Sequence, residues 1–338
     1  MTGKNLLTII LPLLDKEEYT EIWLQNNLHI DFNYIIIDGS KTQKNENLVK
    51  SKIKNSICDI KYIKYENELT VSDWVKKMAI AASKSETKYT MTVDNDDFIN
   101  VKGIKKCIEK LENNSDFQIA SGNVHYVREF NRRYKLLKQS MNFSAYKNIA
   151  NINLIKNYLN QNIPNNGYVW YSVYETNIFF KVWDHIHKSN ISDVFIVEYL
   201  NTQLSFCFGN FLPVNTCHYT RIVNPRAKST SIHMIDDKHL RKNILFKNEE
   251  NKKIIDMYKY VGKFIENKEE LKNIYIDYFT PIKVNSKFHS FFDLFKFSIS
   301  NFFSILITRI FYLIPKLNIN FINKILYNIY LFNSFYSK

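Results

Sequence analysis

The chain has 338 residues, of which 45% are apolar and 15% aromatic, and its formal net charge is +13. This length and apolar content are sufficient for one large packed domain with an appendage. Only seven glycines and six prolines are present, which excludes a linker-rich or low-complexity chain. The basic balance predicts a polyanionic partner, such as nucleic acid, a phosphorylated substrate or an anionic membrane.

The cysteine pattern predicts neither a disulfide framework nor a zinc site. None of the four cysteines lies in a CxxC pair or in another zinc-ligand spacing. We expect free thiols in a reducing compartment. The N-terminus begins directly with an apolar strand and has no convincing signal peptide, so the predicted location is the cytoplasm.

The first hundred residues alternate between strand and helix patterns. Apolar or β-prone runs predict four strands, at Leu6–Leu11, Tyr34–Ile37, Ile60–Tyr65 and Tyr89–Val93. Helices are predicted between them, at Glu17–Leu28 with Asp15 as a cap, at Thr42–Ile53, and at Val71–Ala82 with Thr70 or Ser72 as N-cap. This alternation predicts right-handed βαβ units, and therefore an α/β fold with a mostly parallel sheet flanked by helices.

Beyond residue 100 the patterns are less regular. We predict a helix at Val101–Leu111 and a strand pair formed by Gln118–Arg128 with the basic stretch Arg128–Lys138. An irregular aromatic stretch at Tyr168–Phe180, a helix at Trp183–Leu200 and a strand region at Phe206–Val214 follow. Residues 236–273 are polar and predicted to be helical.

The C-terminal tail has a different character. From Phe288 to Leu313, apolar residues recur every three or four positions, which predicts an amphipathic helix. Charged residues such as Asp293 and Lys296 interrupt the run, which argues against a transmembrane helix. An interfacial membrane helix and a helical pair packed on the core or on another subunit both remain open. Residues 281–338 carry seven Lys or Arg against one acid, so much of the basic excess lies on this apolar tail, which argues against nucleic acid as the partner.

Polar groups follow three of the predicted strands at their carboxyl ends. They are the turn from Pro12 to Asp15, the turn Asp38-Gly39-Ser40, and the acidic stretch from Asp94 to Asp97. In open α/β sheets, ligands bind beyond the carboxyl ends of the strands. The sequence therefore predicts that these three groups converge on one rim of the sheet.

The acidic stretch TVDNDDF (residues 92–98) is a candidate metal site. Asp94 and Asp96, two positions apart on a turn, can face one point, and a divalent cation would offset their repulsion while leaving positions for substrate phosphates. The alternative is a solvated turn in which Asp97 caps the next helix. The position after the fourth strand of a βαβ series favours the metal site.

Three stretches together, LTIILPLLDKEEYTEIWLQ, YIIIDGS and KYTMTVDNDDF, resemble the inverting family-2 glycosyltransferases of GT-A fold. The resemblance implies a GT-A domain at residues 1–235, with a nucleotide-binding half at about 1–125 and an acceptor half at about 126–235. A helical region at 236–338 then ends in the amphipathic tail. The implied cofactor is Mn²⁺ or Mg²⁺.

The resemblance also implies roles for individual residues in binding the donor. Pro12 and the turn to Asp15 would line the nucleotide pocket, and Asp38 would accept a hydrogen bond from the base, commonly uracil. Asp94 and Asp96 would form the DXD motif, with Asp96 the expected direct metal ligand. Asp97 would hold ribose or sugar hydroxyls, or only cap a helix. The basic residue near the donor would be Lys76 or Lys77.

An inverting transferase needs a general base that deprotonates the acceptor hydroxyl. The family takes it from the start of a helix well after the DXD motif, where Asp193 and Glu198 are the candidates, with Asp193 favoured. Asp193 could instead be a helix cap.

Further candidates lie around the acceptor half. Arg221 and Arg226, with Lys228, could close over the leaving diphosphate or form a solvated face. His218 or His233 could add a metal ligand, although an ordinary histidine is the favoured interpretation. The stretch WYSVYE at 170–175 could be a sugar-stacking platform or aromatic core.

We therefore expect an inverting, metal-dependent glycosyltransferase that moves a sugar from a nucleoside-diphosphate donor to a glycan or lipid-linked glycan in surface polysaccharide synthesis. It would be cytoplasmic and peripheral on the inner membrane face. The alternative is a catalytically inactive, membrane-associated scaffold of the same fold. A nucleotidyltransferase is disfavoured, since no glycine-rich phosphate loop follows the first strand.

Overall fold

The computed structural model describes residues 6–66, 68–130, 133–139, 151–160, 167–222 and 248–279. The strands are β1 Leu7–Leu13, β2 Asn33–Asp38, β3 Asp59–Lys64, β4 Tyr89–Thr92, β5 Phe98–Ile99, β6 Ile119–Phe130, β7 Arg133–Gln139, β8 Val173–Glu175 and β9 Phe211–Ile222. The helices are α1 Glu17–Asn26, α2 Lys44–Lys54, α3 Val71–Ser83, α4 Val101–Glu112, α5 Asn151–Asn160, α6 Gly167–Trp170, α7 Thr176–Lys188, α8 Val194–Phe208, α9 Asn248–Val261 and α10 Lys268–Phe279.

The strands of the described residues form one mixed sheet in the order β3-β2-β1-β4-β8-β6-β9-β5, with β7 paired to β6. The first four run parallel, as the predicted βαβ units require. Next, β8 runs antiparallel to both β4 and β6, while β9 runs parallel to β6. The predicted α/β architecture is therefore present, with a parallel N-terminal half and a mixed second half.

The strand register places the predicted rim groups side by side. Leu13 pairs with Asp38 across β1 and β2, and Ile10 pairs with Thr92 across β1 and β4. The half-buried Pro12 lies opposite Ile37. Since β1 lies between β2 and β4, the polar segments after these three strands leave the sheet at neighbouring positions.

The predicted irregular stretch Tyr168–Phe180 is wrong, because it contains α6, β8 and the start of α7. The strand β8 has only three residues, yet it joins β4 to β6 in the middle of the sheet. A segment this short has too few residues to show a strand periodicity, so pattern analysis does not detect it.

The predicted change from helix to strand near residue 206 is also wrong. Helix α8 continues to Phe208, and β9 begins only at Phe211. Residues 199–206 of α8 are buried at every position, so the helix shows no one-sided apolar stripe. An apolar run of this kind can be taken for a buried strand.

The N-caps predicted for α3 and α1 can be compared with the structure. Thr70 is confirmed as the N-cap of α3, since its hydroxyl accepts from Asp73 N–H at 3.2 Å and Asp73 Oδ2 accepts from Thr70 N–H at 2.9 Å. This is a capping box. The prediction of Asp15 as the cap of α1 is wrong: the N-cap is Lys16, which provides no side-chain hydrogen bond.

The amphipathic tail predicted beyond residue 286 lies outside the described residues. Among the helices that the structure does describe, none combines the length and apolar character needed to cross a membrane. All four cysteines are free thiols.

Replacing Gly103 by alanine is expected to destabilise the protein by about 3 kcal/mol, the upper part of the usual range for overpacking. Helix α4 packs directly on β9 at this residue. A Cβ at Gly103 would lie 1.8 Å from the Cys217 carbonyl oxygen and 2.7 Å from His218 Cα. Because these are backbone atoms, α4 would have to move away from β9. Urea unfolding gives the change in the free energy of unfolding.

The control is Gly262→Ala after α9, where the nearest atom to a new Cβ is the Tyr258 carbonyl oxygen at 3.2 Å. We expect its free energy of unfolding to stay within about 1 kcal/mol of wild type. Equal stability of the two variants would contradict the described packing of α4 on β9.

Candidate active site

The connection from β1 to α1 contains two consecutive left-handed residues, Asp15 (φ 52°) and Lys16 (φ 57°). Residues other than glycine adopt this region rarely, so neighbouring contacts must hold it. Asp15 N–H donates to Ser40 Oγ at 2.7 Å, and the Asp15 carbonyl accepts from Asn45 Nδ2 at 3.0 Å. Asn45 Nδ2 also donates to Ser40 Oγ at 2.9 Å. The two predicted turns are therefore tied together at one end of the sheet.

Asp38 lies at the end of β2 and is completely buried. Its Oδ1 accepts from Ser40 N–H at 2.8 Å, and its Oδ2 accepts from the Tyr62 hydroxyl at 2.8 Å and from Lys64 Nζ at 3.5 Å. Burial raises the pKa of Tyr62, and the hydrogen bond to Asp38 and the charge of Asp38 raise it further. The Tyr62 hydroxyl therefore stays protonated and can donate. The carboxylate is therefore held in a fixed orientation, and Tyr62 and Lys64 are pocket residues that sequence reasoning missed.

The two candidate lysines of α3 have opposite environments. Lys76 is exposed, whereas Lys77 is 1% exposed, donates to the Leu13 carbonyl at 2.8 Å and forms an ion pair with Glu68. Burial lowers the pKa of Lys77 and raises that of Glu68, each opposed by the charge of the other. The pair lies directly against Gly39, where a Cβ would be 2.0 Å from Glu68 Oε2. Lys77 is thus at the rim that Asp38 occupies.

Lys77→Met is expected to lower the free energy of unfolding by about 3 kcal/mol, since it leaves the buried Glu68 without its partner. The additional substitution Glu68→Met should restore much of this loss, because no unpaired charge then remains. Chemical denaturation at pH 7 measures the free energy of unfolding of the single and the double variant.

Lys76→Met is the matched control, from which we expect a change within about 0.5 kcal/mol, as for other exposed positions. If Lys77→Met were as stable as Lys76→Met, the buried ion pair would not be a determinant of stability at this rim.

The predicted acidic cluster is present after β4. One carboxylate oxygen from each of Asp94, Asp96 and Asp97 lies within 4.8 Å of the others. Burial, and then Asp96, raises the pKa of Asp94, although a hydrogen bond from Tyr171 opposes the rise. Burial, followed by Asp94 and Asp96, raises the pKa of Asp97 well above its usual value. Three repelling carboxylates at this spacing fit a hard divalent cation, which would favour their ionised forms.

Two tyrosines hold the cluster. The Tyr171 hydroxyl donates to Asp94 Oδ2, and the Tyr219 hydroxyl donates to Asp97 Oδ2 at 2.9 Å while it accepts from Asp94 N–H at 3.0 Å. Asp97 Oδ1 accepts from Ile222 N–H at 2.7 Å. Asp97 therefore ties the acidic loop to the end of β9.

Asp97 is not a helix cap, so that alternative prediction is wrong. The N-cap of α4 is Asn100, whose side chain accepts from Gly103 N–H at 3.1 Å. Asp97 is 2% exposed and directs both carboxylate oxygens toward β9. Within the described part of the chain, no hydrogen bond to the Asp96 carboxylate is found, so both of its oxygens can face a ligand.

Arg221, near the end of β9, is half-buried beside the acidic cluster. Its pKa is raised well above its usual range by the neighbouring Tyr171, while burial opposes the rise. The charges of Asp97, Asp94 and Glu198, in that order, raise the pKa of Arg221 further. The structure therefore brings Glu198, from the second turn of α8, into the electrostatic environment that contains the cluster.

Asp193 has other partners. Its Oδ1 accepts from Ile196 N–H at 3.3 Å, as the N-cap of α8, and its Oδ2 forms an ion pair with Lys253 of α9 at 2.9 Å. It lines a cavity of about 410 Å³ between the α7–α8 connection and α9, together with residues such as Tyr260. The cap that sequence analysis considered for Asp193 is therefore present.

The remaining candidates lie elsewhere in the fold. His218 is buried, its Nε2 is 2.9 Å from the Tyr171 carbonyl, and burial lowers its pKa to about 4, so it is a neutral histidine of the core. In the stretch WYSVYE, Trp170 stacks on Trp74 with ring centroids 5.7 Å apart, and residues 170–174 are buried. This stretch is aromatic core rather than a sugar platform. Arg226, with Lys228 and His233, lies outside the described residues.

Comparison with known proteins identifies the family. The model for glycosyl transferase family 2 matches residues 8–188, more than half of the chain. No curated protein matches the chain in sequence.

Several solved structures are similar to this chain. S. aureus TarS 1–349 in complex with UDP has 14% identity and a TM-score of 0.48, and the match covers 81% of this chain and 88% of that one. The same protein with UDP-GlcNAc has 15% identity, 80% coverage of each chain and a TM-score of 0.45. The mannosyltransferase PcManGT from Pyrobaculum calidifontis, in complex with GDP-Man and Mn²⁺, has 8% identity, coverage of 80% and 69%, and a TM-score of 0.48.

Because these TM-scores lie below 0.5, the assignment rests on the family model. The matched segment contains the two tied turns, the acidic cluster and the tyrosine at position 171. The chain therefore belongs to glycosyl transferase family 2, which confirms the predicted family, the GT-A fold class and the enzyme class of glycosyltransferase.

Proposed function

We propose that this chain is an inverting, metal-dependent glycosyltransferase. It transfers a sugar from a nucleoside-diphosphate donor, preferably a UDP-sugar, to a glycan or lipid-linked glycan in surface polysaccharide synthesis. The observation that carries the proposal is that Asp38 and the acidic cluster lie at the same edge of the sheet, at the carboxyl ends of the parallel strands β2 and β4 on either side of β1. Such a rim is where nucleotides bind in open α/β sheets.

The donor would span this rim. Asp38, oriented by Tyr62 and Ser40, accepts a hydrogen bond from the base, and a pyrimidine N–H is a suitable donor. Pro12 and Asp15 would line the nucleotide side of the pocket, and the buried Lys77 would support this side through the Leu13 carbonyl. Lys76 is exposed whereas Lys77 is buried at the rim, so Lys77 is the better supported of the two lysines.

Asp96 and Asp94 would hold a Mn²⁺ or Mg²⁺ ion, which would neutralise the charge of the donor diphosphate. Asp96 has both carboxylate oxygens available within the described part of the chain, and Asp94 has one oxygen engaged by Tyr171. Asp97 closes the cluster and holds β9. Arg221 provides a permanent positive charge beside the cluster and would stabilise the leaving diphosphate.

Glu198 is the better supported general base. It is half-buried on α8, and its charge acts on Arg221, whose own neighbours include the acidic cluster. Asp193 is engaged as a helix cap and as the partner of Lys253. A base that accepts the acceptor proton while the diphosphate leaves must lie near the metal site, which favours Glu198.

The domain limits and the cellular location are part of the same proposal. The GT-A domain extends over residues 1–235, with its nucleotide-binding half at about 1–125, and a helical region follows. The tail would keep the enzyme on the inner membrane face, near a lipid-linked acceptor, or would join two subunits.

The proposal is tested by incubating pure protein with MnCl₂ and a panel of UDP- and GDP-sugars, and by measuring released UDP or GDP. We expect release from at least one donor, and none in EDTA. An inactive scaffold would release no nucleotide with any donor and would show no metal-dependent nucleotide binding, which would exclude the proposal in favour of that alternative.

A further inference from the structure

The acidic cluster is attached to the second half of the sheet by two stacked tyrosines. The rings of Tyr171 and Tyr219 are nearly parallel, with an interplanar angle of 13° and centroids 4.0 Å apart. Tyr171 is 2% exposed and Tyr219 is completely buried.

Each tyrosine hydroxyl donates its hydrogen bond to a different carboxylate of the cluster. Tyr171 donates to Asp94 Oδ2, and Tyr219 donates to Asp97 Oδ2 at 2.9 Å. The Tyr219 oxygen also accepts from Asp94 N–H at 3.0 Å, so it fixes the backbone of the loop as well. A hydroxyl has one proton to donate, and the two tyrosines therefore determine which oxygens of Asp94 and Asp97 remain for other partners.

The tyrosine pair is itself held in place independently of the carboxylates. The Tyr171 carbonyl lies 2.9 Å from Nε2 of the buried His218, the residue that precedes Tyr219 in β9. Tyr171 also follows Trp170, whose ring stacks on Trp74 of α3. The two rings are therefore rigid parts of the core rather than mobile surface groups.

We propose that Tyr171 and Tyr219 are positioning residues for the metal site, which rests on the metal dependence given under the proposed function. By holding Asp94 Oδ2 and Asp97 Oδ2, they direct the remaining oxygen of Asp94, together with Asp96, toward one point. A ligand carboxylate that is oriented in advance loses less conformational freedom on metal binding. Hydrogen-bond partners of metal ligands typically contribute about 10–100-fold to metal affinity.

The test measures Mn²⁺ binding directly, by electron paramagnetic resonance of free Mn²⁺, on the full-length chain without donor. We expect Tyr171→Phe and Tyr219→Phe each to raise the Mn²⁺ dissociation constant by about tenfold or more. Both variants keep the aromatic ring, so the stacking is preserved. The apparent KM for Mn²⁺ in turnover should rise in parallel, while kcat at saturating Mn²⁺ falls much less.

The matched control is Tyr174→Phe in β8. Tyr174 is 1% exposed, and its hydroxyl hydrogen-bonds to the Val169 carbonyl and to Ser205 Oγ, not to the acidic cluster. Tyr174→Phe should lose about as much thermal stability as Tyr171→Phe and Tyr219→Phe, and it should bind Mn²⁺ as wild type does. If Tyr171→Phe did not fold, Tyr219→Phe alone would decide.

The outcomes separate this inference from the proposed function. If wild type binds Mn²⁺ and the two phenylalanine variants at 171 and 219 bind it equally well, the positioning role is excluded and the proposed function stands. If all variants, including Tyr174→Phe, lose affinity together, the effect is general destabilisation and the inference is also excluded. If wild type binds no Mn²⁺, metal dependence and inference are both excluded.

Discussion

Asp96→Asn is expected to reduce metal-dependent release of nucleotide from the donor by at least about 100-fold, a loss typical of removing one group that stabilises developing charge. The substitution keeps the size of the side chain and removes the negative charge that the cation requires. Asp96 is half-buried, so we expect the variant to fold. Initial rates of UDP or GDP release at several Mn²⁺ concentrations measure the effect.

Asp116→Asn is the control for the loss of one negative charge. Asp116 is exposed in the α4–β6 connection, away from the cluster, so this variant should retain wild-type rates. If Asp96→Asn kept most of the activity in Mn²⁺, the cluster would not be the metal site.

Glu198→Gln is expected to lower kcat by about 10²- to 10⁴-fold, the range typical of a missing general base. Glutamine has nearly the same shape but cannot accept the proton of the acceptor hydroxyl. Donor and Mn²⁺ affinities should change little, because Glu198 does not belong to the carboxylate cluster. Turnover rates and calorimetric UDP binding separate the two effects.

Asp193→Asn is the matched comparison, since Asp193 is the base that the sequence favours. Asparagine is also a good N-cap, so helix α8 should be retained, while the ion pair with Lys253 is lost. We expect less than about a tenfold change in kcat. A large loss in Asp193→Asn together with normal activity in Glu198→Gln would reverse the assignment of the base.

Much of the nucleotide-binding half could be predicted from the sequence. Strands β1 to β4 are continuous apolar or β-prone runs with clear helices between them, and a parallel arrangement places their ends on one rim. Asp38 and the cluster of Asp94 and Asp96 follow from this, because strand ends and acidic residues are both visible in the sequence. The same reasoning limited the N-cap of α3 to Thr70 or Ser72, and Thr70 is the cap.

The acceptor half could not be predicted to the same degree. The strand β8 has three residues, and residues 199–206 of α8 are buried at every position, so neither has a distinctive periodicity. The choice between Asp193 and Glu198 depends on which of them faces Lys253 and which lies near Arg221. Those contacts arise from the packing of α8 against α9 and β9, and not from local sequence.

The tyrosine pair is the residue set that sequence reasoning missed most completely. Tyr171 and Tyr219 are separated by 48 positions along the chain, and 22 tyrosines make any one of them a weak signal. Their contact depends on the order of β8, β6 and β9 in the sheet. Likewise, Lys76 and Lys77 differ because the fold buries only Lys77, where it contacts Glu68 and the Leu13 carbonyl.

The most direct test of the central claim is calorimetric titration of UDP into the wild-type protein in MnCl₂ and in EDTA. We expect UDP to bind at least about tenfold more tightly with Mn²⁺, which corresponds to about 1.4 kcal/mol, and Asp96→Asn to abolish this difference. Equal UDP affinity in Mn²⁺ and EDTA, or an unchanged metal effect in Asp96→Asn, would contradict the assignment of this rim as a metal-dependent nucleotide-sugar site.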